Sequence, residues 1–152
     1  PRDNRTFDTP NKKANFVAHD LPDVEIPDGK YVMMTIRSHD QYNTTIYDLN
    51  DRYRGIHGNR RIVLMNANDM IKRGWKTRRI VDIVSHFNGE ERRSDAWQVV
   101  AYDIPEGNIA TYFPEANVLV PLNSTADNSN TPTSKWVICS LLEPGQGLFE
   151  EE

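Results

Sequence analysis

A chain of 152 residues and 17.5 kDa is the size of one domain and excludes two full catalytic domains. Hydrophobic residues make up 38% and charged residues 26%, with a mean hydropathy of -0.68, which fits a folded core under a polar surface and excludes a disordered tail. The net charge of -4 argues against a general nucleic-acid surface, and no apolar run reaches the roughly 18 residues of a membrane-spanning helix.

The opening Pro1-Arg2-Asp3-Asn4 lacks an initiator Met and a basic-then-apolar leader, so the chain reads as a fragment of a longer protein. A single cysteine, Cys139, excludes an internal disulfide and fits a reducing compartment, the cytoplasm by default. Residues 1–28 read as an extended lead-in that wraps the domain, because Pro10, Pro22 and Pro27 interrupt any helix and only Ala14 to Ala18 alternates like a short strand. Residues 29–144 form the domain proper and 145–152 an acidic tail.

Lys30 to Arg37 is a nearly continuous apolar, β-rich run and predicts a strand. Ser38 to Asn59 is polar, aromatic and without a period, so it predicts a long loop with at most a helical turn; a loop of that length in a compact domain is usually functional. Arg60 to Met65 predicts a second strand, and Asn66 caps a short helix that stops at Gly74. Arg78 to Phe87 and Arg92 to Tyr102 flank Asn88-Gly89 and predict a hairpin. Gly107 to Thr111 and Val118 to Pro121 read as short strands, Asn123 to Thr133 as a polar loop, and Ser134 to Leu142 as the closing strand. Six or seven short strands with one or two short helices predict a mainly β protein closed into a barrel, which buries its edges.

Chemistry-bearing residues are sparse. His39 and Asp40 follow the first strand and form a candidate acid-base or metal pair, against which stands the lack of any second ligand with matching spacing. His19, His57 and His86 read as isolated surface or loop residues, and Cys139 as a small buried hydrophobe. Arg78-Arg79 and Arg92-Arg93 read as solvated charges that blunt strand edges. Asp51 to Gly55 together with Gly58 to Arg61 suits either an anion site or a packed interface. The most distinctive segment is Met34 to Thr45, in which a buried strand delivers Arg37 and a run of hydrogen-bonding groups to one barrel end, as a site for a planar polar ligand with a phosphate requires.

Several segments carry a family resemblance in order along the chain. These are Phe7 to Phe16; Thr35-Ile36-Arg37-Ser38 with Gln41-Tyr42-Asn43-Thr44; Ile56 to Arg61 followed by Met65 to Asp69 and Gly74; and Gly107 to Ala110 with Ala116 to Leu119, Pro132 and Lys135. Over residues 5 to 144 the sequence resembles the C-terminal molybdopterin-dinucleotide-binding domain of molybdenum oxidoreductases, most closely a formate-dehydrogenase-like alpha subunit. The resemblance implies a double-psi β-barrel that caps a catalytic subunit and binds molybdopterin guanine dinucleotide carrying molybdenum or tungsten. It implies that the metal ligand and the iron–sulfur cysteines lie in other domains of the parent, that those domains are the partners of this one, and that the fragment is inactive alone. Arg37, Ser38, Gln41, Tyr42, Asn43, Asn117 and Lys135 match the family's cofactor-contacting positions, Arg37 toward phosphate or pterin and Asn43 and Asn117 toward the pterin edge. The sequence departs from the family where Lys76-Thr77-Arg78 replaces a Gly-Asp turn. Two readings from other classes stand beside this one: a free-standing barrel enzyme using His39 and Asp40, and a ligand-free interaction domain.

Overall fold

The computed structural model describes residues 2–21, 25–43 and 46–146, so most of the expected acidic tail lies outside the described residues. Six strands close into a barrel: β1 (Tyr31–Ile36), β2 (Ile62–Met65), β3 (Ile80–Phe87), β4 (Glu90–Ala101), β5 (Asn108–Tyr112) and β6 (Val137–Leu142). Their order around the barrel is β1-β5-β2-β4-β3-β6. The β1–β5 and β2–β4 pairs are parallel and the other four antiparallel. This is the closed, mainly β architecture expected from the strand count, with every edge paired.

Alternation along the strands sets the core. Met33, Val63, Met65, Val81, Ile83, Trp97, Val99, Ile109, Cys139 and Leu141 point inward and are fully or almost fully buried. A second cluster, Ile56, Ile62, Leu64, Ala110 and Tyr112, lies on the outer face of β2 and β5. Ile56 follows β1 in the connection to β2, and its side chain covers the outer sheet face, so β2 is buried on both sides.

Helix α1 (Ala67–Lys72) follows β2, and Asn66 caps it by accepting the Asn68 N–H at 2.7 Å. Gly74, at φ +66°, ends it. The Asn88-Gly89 turn joins β3 and β4 with both residues at positive φ.

Four expectations are corrected. Val118 to Pro121 is not a strand: Glu115–Leu119 forms a 3-10 helix, because Asn117 and Val120 N–H groups bond three residues back to Pro114 and Asn117 while β5 already occupies the ladder beside β1 and β2. Ala14 to Ala18 is not a strand, since no ladder partner reaches it. Nor does the lead-in wrap the barrel over residues 2–21, which are exposed apart from Thr9; Phe16 has its full surface in solvent. Finally, Arg92 and Arg93 guard no edge in a closed barrel: Arg92 donates to the Val118 carbonyl at 2.6 Å and Arg93 to buried Asp82 at 2.5 Å.

Candidate functional site at one end of the barrel

Because β1 and β5 run parallel, their C-terminal ends open on the same end of the barrel, and the antiparallel pairings bring the starts of β2 and β6 there as well. Four separate segments therefore converge: 37–43 after β1, 113–117 after β5, Arg60 and Arg61 before β2, and Ser134 and Lys135 before β6. Backbone bonds lock them. Phe113 N–H donates to the Ile36 carbonyl at 2.8 Å, and Thr35 N–H to the Ser134 carbonyl at 2.9 Å. Lys135 Nζ donates to the Thr35 carbonyl, joining residues 100 apart in sequence.

The sequence-selected residues divide into two sets. Arg37, Tyr42, Asn43, Asn117 and Lys135 are exposed at this end, with Tyr42 68% accessible and Asn43 held at φ +53°. Ser38 and Gln41 turn inward. Gln41 Oε1 accepts from Ser38 N–H at 3.1 Å, while its Nε2 donates to the carbonyls of Asn43 at 3.0 Å and Phe113 at 2.7 Å. Both amide hydrogens of Gln41 are thus spent inside the protein. Ser38 is buried and its Oγ accepts from Arg60 at 2.8 Å.

Arg60 is the residue the sequence reading left undecided, and it lies at the centre of this end, 4% exposed. Its guanidinium donates to Glu115 Oε1 at 2.7 Å, to Ser38 Oγ, to Gln41 Oε1 at 2.9 Å and to the Phe113 carbonyl at 2.9 Å. It also lies over the rings of Tyr47, at 4.1 Å, and Tyr112, at 4.9 Å. Beside it, Arg54 and Tyr112 O–H donate to buried Asp51 at 2.5 and 2.9 Å. Burial pushes the Asp51 carboxyl up, but Arg54 and Tyr112 outweigh it and hold it below its ordinary value. The 51–61 cluster is therefore a packed internal interface rather than an open anion site. Position in the sequence does not single it out: Arg60 stands two residues before β2, while Arg61, directly before that strand, is exposed.

Among the described residues, three buried polar atoms have no hydrogen-bond partner: Arg54 Nε, Thr111 Oγ1 and Glu115 Oε2. Glu115 belongs to the converging end, two residues before Asn117 and bound through its other oxygen to Arg60.

The remaining candidates do not assemble. His39 packs its ring on Tyr53 at 3.6 Å, while Asp40 pairs with Arg52 at 3.4 Å, so the two diverge instead of forming an acid-base pair. No group of three metal-ligating side chains occurs among the described residues. His86 is not a loop residue but part of β3, where Nε2 lies 2.8 Å from Ser140 Oγ and Nδ1 2.9 Å from Glu91. Lys30 Nζ, 2.9 Å from that Nε2 and 2.7 Å from Ser140 Oγ, donates to both and occupies the lone pair a general base needs. Cys139 is wholly buried, and burial pushes its thiol up to about 12.

No helix among the described residues is long and apolar enough to cross a membrane. The chain is 50% identical over 146 residues to the Uncharacterized oxidoreductase Rv2900c of Mycobacterium tuberculosis, covering 93% of this chain and 19% of that protein. It is 38% identical over 144 residues to Protein YdeP of Escherichia coli K12, covering 90% and 19% respectively. The chain thus spans 19% of the length of these curated relatives. A model of the Molydopterin dinucleotide binding domain matches residues 31–138, from the first residue of β1 into β6, and encloses the whole converging end. The chain belongs to the molybdopterin dinucleotide binding domain family.

Proposed function

We propose that this chain is the cofactor-binding domain of a larger molybdenum or tungsten oxidoreductase resembling a formate dehydrogenase alpha subunit, and that it holds molybdopterin guanine dinucleotide at the end where β1 and β5 finish. The observation that carries this reading is the convergence of Arg37, Tyr42, Asn43, Asn117 and Lys135 from three segments onto one barrel end, inside the region that matches the family.

The residues present fit such a group. Exposed Arg37 and Lys135 supply cations for a pyrophosphate on a chain whose net charge is -4. The amides of Asn43 and Asn117 offer donor and acceptor together, as the mixed edge of a pterin requires. Glu115 Oε2 is a buried acceptor without a partner, the complement of a heterocyclic N–H. Gln41 and Ser38 serve the same site from behind, by fixing the loop that presents Tyr42 and Asn43.

When bound, the cofactor supplies two-electron redox chemistry through its metal. The chain's own residues bind and orient it, and Ile56 keeps water off the strands beneath. Iron–sulfur clusters, the metal's protein ligand and the substrate residues belong in this reading to other domains of the parent, which are also the partners, in the cytoplasm. The isolated chain is then inactive.

The test is pterin and metal content per folded protein in the full-length parent. Arg37→Ala is expected to weaken binding by about 1.5 to 3 kcal/mol, the scale of a hydrogen bond to a charged group, with the barrel still folded. Unchanged content removes Arg37 from the site, and a parent that carries no pterin removes the reading itself.

A further inference from the structure

We infer that Arg60 is the positioning residue of this barrel end: it holds the 38–43 loop and the 113–117 segment in one arrangement and touches no ligand itself. The inference rests on the function proposed above. It begins with donor accounting. A guanidinium has five N–H groups. Here Nε serves Glu115, one terminal nitrogen serves Ser38 Oγ and the Asp48 carbonyl, and the other serves Gln41 Oε1 and the Phe113 carbonyl. Every donor has a protein acceptor, and none remains for a ligand.

Those acceptors lie on two separate stretches of chain, and Arg60 itself on a third. Ser38, Gln41 and Asp48 belong to the loop after β1, and Phe113 and Glu115 to the segment after β5, while Arg60 precedes β2. The first two stretches carry Tyr42, Asn43 and Asn117, so their relative placement sets whether these side chains meet one planar ligand. Gln41 closes the triangle, since it accepts from Arg60 and donates to the same Phe113 carbonyl at 2.7 Å. With the guanidinium gone, buried Ser38 Oγ and Glu115 Oε1 lose their donor, and Gln41 Oε1 keeps only the Ser38 N–H. A lysine carries the charge but has three donors on a point cation, and cannot span this set.

The experiment uses the full-length protein containing this chain, with Arg60→Lys, Gln41→Leu, the double variant, and Arg61→Lys as a control on the exposed neighbour. Two quantities are read: pterin released per folded protein, and amide hydrogen exchange by segment. Arg60→Lys is expected to lower pterin content about tenfold or more, and to speed exchange in 38–43 and 113–117 by a similar factor, with β3 and β4 unchanged. Gln41→Leu is expected to act alike, and the double variant to lose no more than the worse single, because both act through one link. Wild-type pterin content in Arg60→Lys overturns the inference. So does multiplicative loss in the double variant, or exchange that rises evenly over the whole barrel, the mark of a merely structural role. If the unmodified parent carries no pterin, the proposed function falls, and the exchange pattern still decides whether Arg60 couples the two segments.

Discussion

Asp82 Oδ1 accepts the backbone N–H of Ala96 at 2.9 Å, where β4 bulges against β3. The bulge places Ala96 at φ +60° and takes its N–H out of the ladder, so a side chain must satisfy it. The other Asp82 oxygen accepts from Gly145 N–H at 2.9 Å and from Arg93. Asp82 is 2% exposed and thereby ties the bulge, β3 and the segment after β6 together. Removing it leaves the Ala96 and Gly145 N–H groups without an acceptor, while Arg93 keeps Asp95 and the Gln146 carbonyl. Asp82→Ala is expected to destabilise the barrel by about 1 to 3 kcal/mol, read as a lower denaturant midpoint.

The same carboxylate predicts an acid limb. Burial pushes the Asp82 carboxyl up, yet the Gly145 and Ala96 N–H groups and Arg93 together hold it below its ordinary 3.8, and Asp51 is depressed as well by Arg54 and Tyr112. A depressed carboxylate contributes stability that is fully present above the unfolded value and is lost as pH falls through the folded one. Stability is therefore expected to hold down to about pH 4 and to fall steeply below it. Asp82→Asn should flatten that fall; a variant whose stability drops as steeply below pH 4 as the parent's removes Asp82 as a source.

Cys139 gives a third expectation. Its side chain is wholly inside the barrel and its thiol is pushed up to about 12 by burial, against which Lys30 works only weakly. Since the thiolate is the reactive form, labelling by a thiol reagent at pH 8 should proceed only through global opening. Labelling rates are expected to follow denaturant stability; rapid labelling of the native chain contradicts this placement.

The fold was legible where the pattern was local. The apolar run of β1, the Asn88-Gly89 turn and the Asn66 cap each state their own geometry within a few residues. Val118 was misread because a short apolar run does not distinguish a strand from a 3-10 helix, and the decision came from β5, which had filled the available ladder. Placement at one barrel end was half legible for the same reason. Arg37 and Lys135 stand beside the ends of β1 and β6, where the apolar run stops. Arg60 and Glu115 meet across 55 residues of sequence, and no window contains both.

The last prediction concerns the turn between α1 and β3, which carries Lys76-Thr77-Arg78. Arg78 sits at φ +74° with its side chain exposed, and its N–H donates to the Val99 carbonyl at 2.7 Å. The turn thus holds a left-handed residue without the glycine that adopts this conformation free of strain. For a residue with a Cβ this region costs about 1 to 2 kcal/mol. Glycine removes that cost but loosens the unfolded chain by about 0.4 to 1 kcal/mol. Arg78→Gly is therefore expected to stabilise the barrel by about 0.5 to 1 kcal/mol, raising the melting temperature by about 1 to 4 °C. The backbone N–H to Val99 is kept in this variant, so the comparison isolates the conformational cost. Arg78→Ala supplies the control: it removes the charge and retains the Cβ, and should leave stability near the starting value. A gain in the alanine variant equal to that of glycine would trace the effect to charge on the rim of Arg73, Lys76 and Arg79 instead of to the backbone.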